Sequence, residues 1–131
     1  MTSPTLWPDV ETLLVSYLEG LVDDADQVNT ETPDDFAGLT PFIRVYRFGG
    51  RTDRVNDYAD VQLDVFHALR SVGLPMARQV QSLLMGPPPP VAVFDRIECI
   101  VAPREMEWGD DDTMRRWGAT YRVVSRRRVF T

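Results

Sequence analysis

The amino-acid sequence predicts an α+β fold: a single domain, mostly antiparallel β-sheet of four to five strands, with two α-helices packed on it. Three observations lead there. Residues 58–66 (YADVQLDVF) alternate, with Ala59, Val61, Leu63 and Val65 on one face and Asp60, Gln62 and Asp64 on the other, the period of two that buries one face of a strand. Two other windows carry apolar residues at helical spacing. The chain has 131 residues, 44% hydrophobic and 26% charged, the size and balance of one globular domain with a real core.

The first helix is placed at residues 7–21. Val10, Leu13, Leu14, Tyr17, Leu18 and Leu21 form one apolar stripe. Pro8 suits the first turn, where a missing N–H costs nothing, and Asp9 and Glu11 suit the positive end of the dipole. Gly20 marks the stop. Residues 22–40 are acidic and turn-rich, with room for a short strand around 27–32.

Strands are expected at 41–48 and 58–66. The charged linker between them, residues 49–57 (GGRTDRVND), exceeds what a tight hairpin needs and reads as a mobile arm, with Gly49 and Gly50 as turn punctuation. A second helix is expected to start near Pro75, with Met76, Ala77, Val80, Leu83 and Leu84 as its apolar face, and to end at Gly86. The four prolines 87–90 then form a stiff polyproline II spacer. Strands near 91–102 and 115–126 complete the chain, flanking an acidic loop that ends in Asp110, Asp111 and Asp112.

Several function classes lose their residues. There is one histidine, His67, at a strand end where a capping role is the default, so general-base, triad and histidine-metal chemistry would all fall to it. The single cysteine, Cys99, excludes an internal disulfide and a cysteine-type zinc site; it reads as a small buried hydrophobe. A chain without lysine cannot hold a P-loop, and no Gly-x-Gly-x-x-Gly occurs. Three consecutive aspartates cannot converge on one ion, so residues 110–112 read as a solvated loop. Asp60 and Asp64 share a strand face that is expected to be wet. No cofactor or metal is expected, and the chain is not read as an enzyme. The net charge of −6 argues against a general nucleic-acid binder, and no stretch reads as a membrane span or signal peptide. The basic run at 126–128 is a candidate for phosphate or acidic-partner contact, although charge at a strand end also blunts edge pairing. Trp108, in the acidic loop, either folds back on the core or serves as an interface anchor.

The order of parts resembles the tail terminator proteins of long-tailed bacteriophages. An amphipathic helix and an acidic loop precede PFIRVYRFGG at 41–50; DYADVQLDVF at 57–66, ARQVQSLL at 77–84 and RWGATYRVVSR at 116–126 follow. The resemblance implies a small virion subunit that assembles as a homohexameric ring on the tail tube, stops its growth and meets the head–tail connector, with DNA passing through the lumen unbound. No catalytic residues are implied. The expected assembly surface comprises Arg51, Arg54, Trp108, Asp110, Asp111 and Asp112. The acidic 23–35 stretch and the 107–112 loop are assigned to the lumen or the tube-facing rim. Six copies carry −36 formal charges, six times the −6 of one chain, and like charge lets DNA slide. Two rival classes stay open: a head-closure protein from the other side of the neck, and a small cytoplasmic α+β ligand-binding or interaction module.

Overall fold

The computed structural model describes residues 5–6, 9–86, 91–108, 113–126 and 128–129. Among them run β1 (Thr5–Leu6), α1 (Val10–Leu18), β2 (Val28–Asn29), β3 (Phe42–Thr52), β4 (Asn56–His67), α2 (Arg70–Leu84), β5 (Phe94–Met106), β6 (Arg115–Arg126) and β7 (Arg128–Val129). Five strands form one sheet in the order β2-β3-β4-β6-β5, and β1 pairs with β7 in a separate ribbon. Every contact in the large sheet is antiparallel except β2 with β3, which is parallel. The expected α+β domain with a mostly antiparallel sheet is what forms.

Helix α1 begins one residue after Asp9, whose carboxylate accepts from the Thr12 N–H at 3.3 Å and the Thr12 hydroxyl at 2.9 Å. Asp9 is therefore the N-cap and not part of the first turn. The α-helix ends at Leu18 and one 3-10 turn, Glu19–Leu21, carries it to the expected C-terminal end, while its start at Val10 falls three residues later than the expected 7.

Helix α2 starts five residues before the proline expected to open it, with Pro75 inside its second turn. The N–H of Leu69 donates to His67 Nδ1 at 2.9 Å, while the Leu69 carbonyl accepts from Val72 and Gly73. The histidine thus fixes the corner between β4 and α2. The expected proline spacer lies outside the described residues.

Both helices cover one face of the sheet. Ala59, Val61, Leu63 and Val65 of β4 and Trp117, Ala119, Tyr121 and Val123 of β6 are buried in one cluster with Leu14 and Leu18 of α1 and Ala77, Val80 and Leu84 of α2. Complete burial of a side chain such as Leu14 contributes about 1.5–3 kcal/mol. The opposite face carries a smaller cluster at one end: Phe42, Phe66 and Met114, with Phe36, Leu39 and Trp108 against them. Among the described residues no helix is long and apolar enough to cross a membrane.

The 49–57 segment is not a free arm. Gly49 pairs with Asp60, Gly50 with Ala59, Arg51 with Tyr58 and Thr52 with Asp57, so β3 and β4 continue to a short turn at 53–55. A bulge between Arg47 and Gly49 shifts the register just before the glycines, which makes the second strand segment hard to see as a continuation of the first. Gly50 sits at φ 120°, and a Cβ there would collide with the Tyr58 carbonyl. Gly50 serves a close backbone approach beside the bulge, and neither glycine lies in the turn. The turn itself is closed by Asp53, whose carboxylate accepts from the N–H groups of Val55 at 2.8 Å and Asn56 at 2.7 Å. Those two bonds hold the Asp53 carboxyl below its ordinary pKa.

Candidate functional site

The polar face of β4 is not the wet surface its composition suggests. Asp64 is fully buried and Gln62 is buried beside it. Arg44 on β3 lies directly opposite Asp64 and donates to one carboxylate oxygen through Nε at 3.2 Å and Nη2 at 2.5 Å. Gln62 Nε2 donates to the other oxygen at 2.9 Å, and Arg116 stands 3.6 Å from it. Register explains the burial: β4 is central, so long side chains from both neighbours fold over it. Gly118, opposite Asp64 on β6, leaves the space, since a Cβ there would come within 3 Å of Met106, Gln62 and Asp64.

Trp108 folds back. Its ring meets Phe66 at 4.8 Å and Phe36 at 6.0 Å, edge to face, and the guanidinium groups of Arg44 and Arg116 lie 5.4 and 5.9 Å from its centroid. The indole caps the aromatic cluster and screens the Arg44–Asp64–Arg116 triad from water. It remains half-buried. Asp110, Asp111 and Asp112 lie outside the described residues.

Toward the hairpin end, a second buried carboxylate, Asp57, is held on the helix-covered side. Arg47 donates to it in bidentate fashion at 2.6 and 2.8 Å, and the Thr52 hydroxyl donates at 2.8 Å. The pair fastens the two strands just past the bulge. The guanidinium is raised above its ordinary pKa, chiefly by that bond to Asp57.

Arg51 lies on the other side of the hairpin. Its guanidinium stacks on the Tyr58 ring at 4.1 Å, and among the described residues it has no hydrogen-bonded carboxylate. Beside it, Arg122 donates to Asp60 at 2.9 Å. Together with Gly50 these residues line an open depression of about 250 Å³. A second depression of about 220 Å³ lies at the other end of β3, lined by Asp26, Asn29, Pro33, Asp35 and Leu39. Arg54 occupies the turn at the hairpin tip. The structure therefore brings Arg51 and Arg54 to one tip and sets Trp108 apart from them in the aromatic cluster.

Other groups are spoken for. Cys99 is half-buried against the main core and accepts weakly from Gln81 at 3.6 Å. Arg126 pairs with Asp95 at 2.8 Å. Among the described residues no three His, Cys, Asp or Glu side chains are grouped to hold a metal ion. The depression at Asp26 and Asp35 escaped sequence reading because its walls come from separated turns; the run of uncompensated acid was the available signal. No family model matches the chain, and no curated protein matches it.

Proposed function

We propose that this chain is a structural subunit of the tail terminator kind. It assembles as a ring, a homohexamer, on the end of a phage tail tube, ends tube polymerisation and forms the junction to the head connector. It is assembled in the host cytoplasm and resides in the virion neck. It acts by shape and breaks no covalent bond, and DNA passes through the lumen without specific binding.

The observation that carries this proposal is the order and disposition of elements. An N-terminal helix, an acidic segment, a long hairpin, a second helix and two long strands follow in the order on which the resemblance rests, and they build a five-stranded sheet with both helices on one face. The residues that chemistry would need are engaged in structure: His67 holds the start of α2, and Asp64 and Asp57 are locked to arginines. The two ends of β3 present open depressions of opposite charge, which suits a subunit that contacts others.

The test is electron microscopy of tails assembled with and without this chain. Tubes of uncontrolled, excessive length in its absence are expected, with rings at the head-proximal end when it is restored. Tails of normal length without it would overturn the proposal.

A further inference from the structure

Charge in this chain is divided by position. Residues 1–43 hold nine carboxylates and no basic side chain, whereas residues 44–131 hold all fourteen arginines and eleven carboxylates. The fold turns that division into a separation in space. Glu19, Asp23, Asp24, Asp26, Glu31, Asp34 and Asp35 are all exposed, and none takes part in an ion pair among the described residues. Asp26 and Asp35 line the depression beside the start of β3, together with the apolar walls of Pro33 and Leu39. The opposite end of β3 is the hairpin tip with Arg51, flanked by Phe48 and Val55, which are 57% and 59% exposed.

The eleven residues of β3 span about 33 Å at roughly 3.3 Å per residue. An arginine at one end cannot reach a carboxylate at the other within one chain. It can reach one on a neighbour. We infer that the β3–β4 hairpin tip of one copy, led by Arg51, docks in the Asp26–Asp35 depression of a second copy. The inference rests on the proposed ring-forming role and supplies its subunit contact. Stacking on Tyr58 at 4.1 Å positions the Arg51 guanidinium, whose donors make no hydrogen bond among the described residues, a preorganised partner for carboxylates. The acidic depression offers two carboxylates with apolar walls for the methylene stem, Phe48 and Val55. Neither the Asp26 nor the Asp35 carboxylate is used in a hydrogen bond among the described residues. Because donor and acceptor surfaces lie at opposite ends, each copy uses both, and the contact repeats head to tail until a ring closes. This assigns Asp26 and Asp35 to the subunit contact and not to the lumen.

Sedimentation velocity over a concentration series tests it, using the full chain, Arg51→Glu, Asp35→Arg and the double variant, with circular dichroism to verify folding. The full chain is expected to self-associate, more weakly at high salt. Each single reversal should raise the dissociation constant about tenfold or more. The double variant, in which acid and guanidinium have traded sides of the contact, should recover most of that loss. A double variant no better than the singles overturns the inference, as does a full chain that stays monomeric throughout. Either result leaves tail length as a separate question: over-long tubes without the chain would preserve the terminator role and remove only this contact.

Discussion

Two buried carboxylates decide how the polar half of this molecule holds together, and each makes a prediction. Burial pushes the Asp57 carboxyl up, but the hydrogen bonds from Arg47 and Thr52 outweigh it and hold the group below the usual carboxylate range. Its folded pKa lies under its unfolded value, so the stabilisation is complete above about pH 4 and is lost as pH falls through the folded pKa. Asp57→Asn should cost about 2 kcal/mol at neutral pH, less than a fully buried pair because Arg47 is part-exposed. In urea titrations the gap to wild type should close below about pH 4. Asp64→Ala leaves Arg44 and Arg116 facing each other without a counter-charge and should cost about 3–5 kcal/mol. Tyr121 behaves in the opposite way. Its hydroxyl is buried with no hydrogen-bond partner among the described residues, and burial, with a smaller contribution from Cys99, pushes its pKa up. Tyr121→Phe should be neutral or raise stability by up to about 1 kcal/mol, read as a shift in melting temperature. The alternation at 58–66 put Asp64 on the right face, but a strand pattern names a face without saying what covers it. Burial of Asp64 needed Arg44, Arg116 and the missing side chain of Gly118, all distant in sequence.

At the scale of elements, α2 shows why a local signal can mislead. Proline is enriched at the first position of helices, which pointed to Pro75, yet here the helix starts at Arg70. The first turn is held instead by the His67 contact and by packing of Gly73 on Trp117, where a Cβ would come within 3 Å of the indole. Gly73→Ala should lose about 1–3 kcal/mol in spite of the roughly 1 kcal/mol gained in helix propensity, because a rigid indole cannot step aside. The hairpin misled for a related reason. A bulge between Arg47 and Gly49 breaks the period of two, and charged residues past it look like linker. The first helix, the strand β6 and the apolar faces of both helices were legible because their periodicity is uninterrupted.

For the whole molecule, β4 is the keystone, paired along its length with β3 and β6, covered by the helices on one face and buried on the other around Gln62, Asp64 and Phe66. Hydrogen exchange should therefore be slowest in residues 59–65 and 117–123 and fastest in β2, which touches the sheet over two residues. Equal protection in β2 and β4 would contradict that ranking. The acidic segment around β2 lies at the weakly held margin, next to the depression proposed to receive a neighbour, where ordering by a partner costs the core nothing.

What the sequence determined alone was class and periodicity: one α+β domain, two amphipathic helices, alternating strands and a surplus of acid. These are local quantities, set by side-chain spacing and composition. Tertiary structure decided the rest: that α2 begins before its proline, that residues 49–57 belong to a hairpin, that Asp64 is buried, and that the acid and the stacked Arg51 guanidinium stand at opposite ends of one strand. Each depends on what a distant residue places alongside, and a one-dimensional pattern does not record proximity.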